Sequence, residues 1–153
     1  MSGNLEQKVA YVDELERLLR TVSSIIKRRG RDILSNFDIT PPQFNALLIL
    51  RNHGNLTIGE LGEKMYLACS TATDLIDRME RNGLMERRRD QNDRRVIRLH
   101  VKEKGMEMVQ AVMAARKRYL SGILDQISEE EILVMINGMR HLQELMTGAH
   151  PDK

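Results

Sequence analysis

The chain has little of what several large classes of protein require. Its single cysteine cannot form a disulfide within the chain, which favours a reducing, cytoplasmic location. The longest apolar run is Ala46–Leu50, far short of the ~18–20 residues that span a bilayer, and the N-terminus carries no apolar signal segment. From these 153 residues we therefore expect one cytoplasmic domain without membrane contact.

Aromatic and catalytic groups are also scarce. There is no tryptophan, and the few Phe and Tyr residues do not form the stacking platform that single-stranded RNA binding uses. Neither a glycine-rich phosphate loop nor a Ser–His–Asp set is present. No metal-ligand spacing relates the histidines to one another or to the cysteine: His53, His100, His141 and His150. The sequence predicts a protein that is not an enzyme and that needs no cofactor.

Positive charge is present, and it is concentrated in one segment. The formal net charge is only +2, yet residues 78–104 carry ten basic and five acidic side chains. Residues 41–77 and 105–153 are each net acidic. A local positive potential of this kind attracts a phosphate backbone. Charge runs also form ordinary solvated surfaces, so the clustering alone leaves both interpretations open.

Helical periodicity dominates the remainder of the chain. Apolar residues at seven-residue spacing predict a long N-terminal helix: Leu5, Val12, Leu19, Ile26 and Ile33. Capping boxes, in which a Ser or Thr precedes a Gln or Glu by three positions, predict helix starts after Thr40, Thr57 and Ser128. Another amphipathic pattern runs from Met106 to Ile127.

The two ends of the chain carry wide apolar stripes. The stripes are more extensive than a small central module can obviously cover: Leu5, Val9 and Val12, then Ile136, Met139 and Met146. Packing the ends together and doubling them across a two-fold axis would bury these residues, so the pattern predicts a homodimer. The alternative is that each stripe packs onto its own domain.

Residues 57–105 predict a module that reads duplex DNA. Two short helical patterns, a glycine stop and two alternating runs form a helix-turn-helix with a basic hairpin. The second helix, over 69–83, buries a stripe made by Ala72, Leu75, Ile76 and Met79. Its exposed surface carries the side chains that we expect to contact DNA: Ser70, Thr71, Thr73, Asp74 and Arg78. Asp74 would repel phosphate, so it should accept from a cytosine amino group or hold a neighbouring arginine.

The hairpin that follows is rich in arginine. Ile97, Leu99 and Val101 alternate with polar residues, which is typical of a half-buried strand. The opposing strand is Leu84–Arg89. An arginine at the tip of a narrow hairpin can enter a minor groove, and Asp93 is placed to hold Arg95 there. The hairpin arginines are Arg87, Arg88, Arg89, Arg94, Arg95 and Arg98, and of these we expect Arg94 and Arg95 to contact DNA.

This module resembles the winged helix-turn-helix of the MarR family of bacterial transcriptional regulators. The resemblance rests on STATDLIDRMERNGL at 70–84, RRRDQNDRR at 87–95 and EKG at 103–105, and flanking helical segments extend it over nearly the whole chain. It implies a mainly α fold with a small β-hairpin wing and long terminal dimerisation helices. The implied regions are an N-terminal dimerisation helix (1–36), the DNA-binding region (37–105) and C-terminal dimerisation helices (106–153).

The resemblance also implies a function and its residues. Ser70, Thr71, Thr73 and Arg78 would occupy contact positions on the recognition helix, and Arg95 would occupy the minor groove with Asp93 orienting it. Members of the family act as homodimers on palindromic operators and usually repress nearby genes. They often release DNA when a small aromatic or phenolic anion binds.

Two further hypotheses concern the same module. Cys69, at the predicted start of the recognition helix, could block DNA docking when oxidised, although a small residue simply tolerated there explains it as well. Redox-sensing relatives carry their reactive cysteine on the first helix, where this chain has none. The rival functional class is a protein-docking module whose wing arginines bind an acidic partner, and preference for one duplex sequence would separate the two.

Overall fold

Six helices and one two-stranded hairpin form residues 2–148, the part of the chain that the computed structural model describes. In chain order they are α1 (Ser2–Leu34), α2 (Pro41–His53), α3 (Ile58–Met65), α4 (Cys69–Arg81), β1 (Met85–Arg89), β2 (Ile97–Val101), α5 (Glu103–Leu124) and α6 (Glu129–Thr147). The predicted mainly α fold with a hairpin wing is confirmed. Residues 149–153, which include His150, lie outside the described residues although they fall in the predicted C-terminal region.

The three predicted capping boxes are present and fix the starts of their helices. In each, the Ser or Thr oxygen accepts from a backbone N–H three residues ahead, and the Gln or Glu side chain accepts from the cap backbone. At α3, for example, Glu60 N donates to Thr57 Oγ1 at 3.2 Å and Thr57 N donates to Glu60 Oε2 at 2.9 Å. Each box satisfies amides that the first helical turn leaves unpaired. The boundaries of α5 differ from prediction, since it begins at Glu103 and ends at Leu124.

Two compact units divide the chain at a point inside α5: Met1–Met113 and Ala114–Lys153. The first unit holds a core to which α2, α3, α4, the hairpin and the start of α5 all contribute. Its largest fully buried side chains are Leu47, Leu61, Ile76, Met79, Leu84, Met85, Leu99, Val109 and Val112. This core sets the position of the predicted DNA-reading elements.

Helix α5 packs so closely on the base of the hairpin that only glycine fits at Gly105. A Cβ atom added there would lie 2.3 Å from the Leu84 carbonyl oxygen and 2.9 Å from Val101 Cγ1. Real Cβ atoms do not approach backbone oxygen so closely. The EKG sequence at 103–105 therefore reflects the need to bring a helix directly against a strand.

The antiparallel hairpin, residues 85–101, is the wing. Its register pairs Arg87 with Leu99, and Leu99 N also donates to the Leu56 carbonyl of the α2–α3 loop at 2.8 Å. The prediction that Ile97 would lie on a half-buried face is wrong, because Ile97 is 44% exposed. Residue 97 pairs with Arg89 at the outer end of the ladder, where the hairpin has projected beyond the core that covers Leu99.

The terminal helices keep apolar faces exposed in the single chain. Large apolar residues along α1 are exposed, Leu5, Val12 and Ile26 among them. Helix α6, considered by itself, buries no residue at all, and its exposed positions include Val134 and Met146. Within residues 2–148, none of the helices combines the length and apolar character needed to cross a membrane.

Candidate nucleic-acid interface

Helix α4, the predicted recognition helix, is anchored along one side. Ala72, Ile76 and Met79 are buried, while Leu75 is only half-buried. Helix α3 packs against it closely enough that a Cβ on Gly62 would lie 3.3 Å from the Ala72 Cβ. The opposite side of α4 is left to solvent, as the apolar spacing predicted.

The side chains predicted to contact DNA are mostly exposed on that opposite side. Ser70, Thr71, Asp74 and Arg78 are exposed. Thr73 is half-buried, and its hydroxyl donates to the Cys69 carbonyl at 2.9 Å. Because its proton is already used, the Thr73 hydroxyl can only accept a further hydrogen bond.

Asp74 and Asp77 differ in their partners. Asp74 forms no ion pair with any of the described residues, whereas Asp77 accepts from an arginine of the wing. Of the two roles predicted for Asp74, holding a neighbouring arginine therefore falls to Asp77 instead. Asp74 keeps both carboxylate oxygens available to accept from a base.

The N-terminus of α4 has no side-chain cap. Ala68 occupies the cap position and offers no side-chain hydrogen bond, whereas Thr40 and Thr57 cap α2 and α3. The first-turn amides of α4 are therefore open to an external acceptor such as phosphate. Cys69 is the first residue of this helix and its thiol is exposed, in agreement with its predicted place.

Arg87 ties the wing to the recognition helix. From β1 its Nη2 donates to Asp77 Oδ1 at 2.6 Å and its Nη1 donates to Glu80 Oε1 at 3.0 Å. Its backbone N–H also donates to Glu80 Oε2 at 3.0 Å. The side chain is only 23% exposed, and hydrogen bonding to Asp77 is the largest cause that raises the pKa of Arg87. We call this set of bonds the Arg87 clamp.

The sequence does not predict the Arg87 clamp, because nothing in it distinguishes Arg87 from the other arginines of the wing. Asp77 and Glu80 are three residues apart and lie on the same side of a helix. This spacing indicates that both carboxylates can bind one cationic side chain. Neither the partner nor its distance of ten residues along the chain follows from that spacing. The positive charge of Arg87 also offsets one of the two negative charges of Asp77 and Glu80, which would otherwise repel phosphate near the recognition helix.

A second set of bonds shapes the tip of the wing. Asp90 Oδ1 accepts from the backbone N–H groups of Asn92 (2.7 Å) and Asp93 (3.2 Å), which closes the turn. Arg98 Nε donates to Asp90 Oδ2, and Arg98 Nη1 donates to the Asn55 carbonyl of the α2–α3 loop at 3.0 Å. The hydrogen bond from Arg98, followed by the two backbone donors, lowers the pKa of Asp90 to about 2.

Asp93 holds Arg95, as predicted. Arg95 Nε donates to Asp93 Oδ1 at 3.1 Å and Arg95 Nη2 donates to Asp93 Oδ2 at 3.2 Å. This bond is also the main cause that lowers the pKa of Asp93. The Arg95 side chain is nevertheless 91% exposed, so its aliphatic and guanidinium surfaces both face water. The adjacent Arg94 is exposed as well.

The sequence does not indicate the unusual conformation and exposure of Tyr66, which lies in the turn between α3 and α4. It adopts the left-handed conformation (φ 55°, ψ 40°), and the residue is 96% exposed. Gly or Asn is the usual residue in this conformation, so a tyrosine gives no indication of it in the sequence. In the part of the chain that the structure describes, no group of three or more His, Cys, Asp or Glu side chains could hold a metal ion.

Known proteins resemble this chain in both sequence and structure. Residues 39–97 match the model of the MarR family. The uncharacterised HTH-type transcriptional regulator YsmB of Bacillus subtilis is 46% identical over 136 residues, which cover 89% of this chain and 93% of that protein. The HTH-type transcriptional repressor MdtR of the same organism is 36% identical over 122 residues, covering 80% of this chain and 79% of that protein.

A solved structure extends the similarity over most of the fold. A MarR family protein from Bacillus stearothermophilus superposes with a TM-score of 0.81 at 51% sequence identity. The match covers 89% of this chain and 95% of that chain.

Proposed function

The chain belongs to the MarR family, and we propose that it is a ligand-responsive repressor that binds a palindromic operator as a homodimer in the cytoplasm. As a family member it is a DNA-binding transcriptional regulator and not an enzyme. One observation supports the proposed binding to a specific operator sequence above all others. A recognition helix with free polar side chains lies beside a wing whose exposed Arg95 is held in place by Asp93.

Helix α4 reads base edges in the major groove. Ser70 and Thr71 are short enough to let the helix approach the bases closely, and Thr73 accepts from an amino group because its proton is engaged. Asp74 accepts from cytosine N4. Arg78, about two turns along the helix from Ser70, donates to a phosphate or to a guanine.

The wing reads the adjacent minor groove. Arg95 inserts into the groove, where A·T-rich sequence is narrow and strongly negative, and Asp93 fixes the direction of the guanidinium. Arg94 binds a phosphate beside it. Because the carboxylate bonds hold Arg95 in advance, less side-chain freedom is lost when DNA binds.

Dimerisation uses the terminal regions, residues 1–36 and 106–153. The support is that apolar side chains along α1 and α6 are exposed in the single chain, well beyond the scattered apolar residues of an ordinary surface. A second copy of the same chain would bury them across a two-fold axis. Two recognition helices related by that axis fit a palindromic site.

The repressor and effector parts of the proposal rest on resemblance. MdtR, which is 36% identical to this chain, is a transcriptional repressor. The effector would be a small aromatic or phenolic anion, and calorimetric titration of the protein with salicylate-like compounds would test it. Repression predicts that deletion of the gene raises transcription from promoters that contain the operator.

Selection of bound duplexes from a random DNA pool tests the core of the proposal. We expect recovery of a two-fold symmetric, A·T-containing site whose half-sites lie about one helical turn (~10 bp) apart. Recovery of no motif, with only weak salt-sensitive binding, would contradict the operator proposal. That result would favour the docking module that binds an acidic partner.

A further inference from the structure

Tyr66 has a backbone conformation that its residue type disfavours. Among residues 2–148 it alone has positive φ without being glycine. Its backbone N–H donates to the carbonyls of Glu63 and Gly62, which ends α3. In the left-handed region a side chain with a Cβ is crowded against the following carbonyl oxygen, and glycine adopts the same geometry without that cost. Tyrosine at this position therefore weakens the fold relative to glycine.

Among residues 2–148, no contact offsets that cost. The residue is 96% exposed, so it buries almost no apolar surface. Its hydroxyl forms no hydrogen bond with any residue that the structure describes. An aromatic residue that is strained and does not pack on the rest of the chain indicates a contact with another molecule, because packing and folding both favour a smaller residue here.

The position of Tyr66 indicates what it meets. Tyr66 lies three positions before Cys69, the first residue of α4, so its Cα lies within ~10 Å of the start of the recognition helix. The neighbouring first-turn residues Ser70 and Thr71 are exposed, and α4 begins without a side-chain cap. When the N-terminus of a recognition helix enters a major groove, the turn before it comes close to the strand that borders the groove.

We propose that Tyr66 is a DNA-contact residue. Its phenolic hydroxyl donates a hydrogen bond to a phosphate oxygen of the strand that borders the half-site read by α4. Tyrosine is among the side chains that make such backbone contacts, which fix the register of a protein on its site. The inference rests on the proposed operator function and adds a positioning contact at the turn, separate from α4 and the wing.

Two variants of Tyr66 test the proposal because folding and binding should respond differently. Tyr66→Gly removes the strained Cβ, so its thermal midpoint should equal or exceed that of the wild type. Its operator affinity should fall by about tenfold for a dimer that carries two such contacts. Tyr66→Phe keeps the ring and the backbone, and it should lose the same affinity with an unchanged midpoint.

The control is Asn52→Ala, which removes an exposed polar side chain from the C-terminal end of α2, outside α4, the wing and the proposed dimerisation regions. Its operator affinity should match that of the wild type. Salt dependence adds a second readout. A neutral hydroxyl displaces no counterions, so the slope of log K against log salt should be the same for wild type and Tyr66→Phe.

Operators with single methylphosphonate substitutions locate the contact. At one phosphate in each half-site, neutralisation should weaken the wild type yet have a smaller effect on Tyr66→Phe, which has already lost the bond. Equal affinity of the wild type and both Tyr66 variants for a selected operator would overturn the inference and leave the proposed function intact. Loss in Tyr66→Gly without loss in Tyr66→Phe would overturn the hydroxyl contact. Absence of any operator for the wild type would reject both.

Discussion

Helix α4 buries Ala72, Ile76 and Met79 in the core, whereas the two strands of the wing bury only Met85 and Leu99. The wing beyond its base is held by the Arg87 clamp and by the bonds that Arg98 makes to Asp90 and Asn55. Apolar burial has no preferred direction and is not screened by salt, while charged hydrogen bonds are directional and are screened. The position of α4 is thus fixed by apolar packing, whereas the position of the wing beyond its base depends on hydrogen bonds from a few individual side chains.

Truncation of an α4 anchor should have the largest effect on stability. Ile76→Ala removes a fully buried side chain, and we expect a loss of about 2–5 kcal/mol in the free energy of unfolding. Chemical denaturation of the full-length protein measures it. Leu75→Ala, at a half-buried position on the same helix, is the control and should cost clearly less. Equal costs would mean that α4 is not held by burial at Ile76.

Removal of the wing arginine should affect binding and leave the fold unchanged. Arg95→Ala deletes an exposed side chain, so stability and dimerisation should stay as in the wild type. Operator affinity should fall by about 1–3 kcal/mol, and preference for A·T at the wing positions should weaken. Fluorescence anisotropy with operators altered at those positions measures both.

A matched control for Arg95→Ala is Arg51→Ala, which removes an exposed positive charge from α2. The control should change affinity much less and should leave base preference as it is. Unchanged operator affinity in Arg95→Ala would contradict the minor-groove role of the wing.

Disruption of the Arg87 clamp should produce a smaller effect of a different kind. Arg87→Met removes the ion pairs to Asp77 and Glu80 and keeps only the backbone hydrogen bond to Glu80. These carboxylates are partly exposed, so stability should fall by at most about 1 kcal/mol. The wing would lose its fixed angle to α4 and two negative charges would face the DNA. Operator affinity and the A·T preference should therefore fall together.

A double-mutant cycle separates the two consequences of losing the clamp. Adding Asp77→Asn to Arg87→Met removes one of the repelling charges but does not restore the clamp. Affinity should recover in part, while the A·T preference should stay weakened. Full recovery of both would show that Arg87 only neutralises charge and does not position the wing.

The sequence predicted local features well because their determinants are local. The capping boxes at Thr40 and Thr57 depend on residues three positions apart, and the buried stripe of α4 depends on helical spacing. Asp93 and Arg95 are two residues apart, so their bond was also predictable.

The remaining features depend on distances that no local pattern contains. Alternation correctly gave Leu99 to the core, but it could not show that the hairpin leaves the core before Ile97. Six wing arginines and several carboxylates allow many pairings, and only the packing of β1 against α4 selects Arg87 for Asp77. The turn at Tyr66 contains no glycine that would indicate a positive φ, so this backbone conformation could not be predicted from the sequence.

Loss of the negative charge of Asp90 should have the smallest effect on stability and binding of these changes at physiological pH. Its pKa is lowered to about 2 in the folded protein, against about 3.9 in an unfolded chain. A lowered folded-state pKa means that the contribution is fully present above the unfolded value and is lost as pH falls through the folded value. Asp90→Asn keeps a side-chain oxygen for the turn amides but removes the charge that binds Arg98.

The thermal midpoints of the wild type and Asp90→Asn, measured against pH, therefore sharpen the comparison between helix and wing. Their difference should be constant from pH 5 to pH 8 and should shrink below about pH 4 as the wild-type carboxylate takes up protons. Ile76→Ala, whose defect is apolar, should show a difference from wild type that has no such dependence. A wing difference that stayed constant down to pH 2 would mean that the charge on Asp90 does not hold the wing, and that the turn amides alone set its shape.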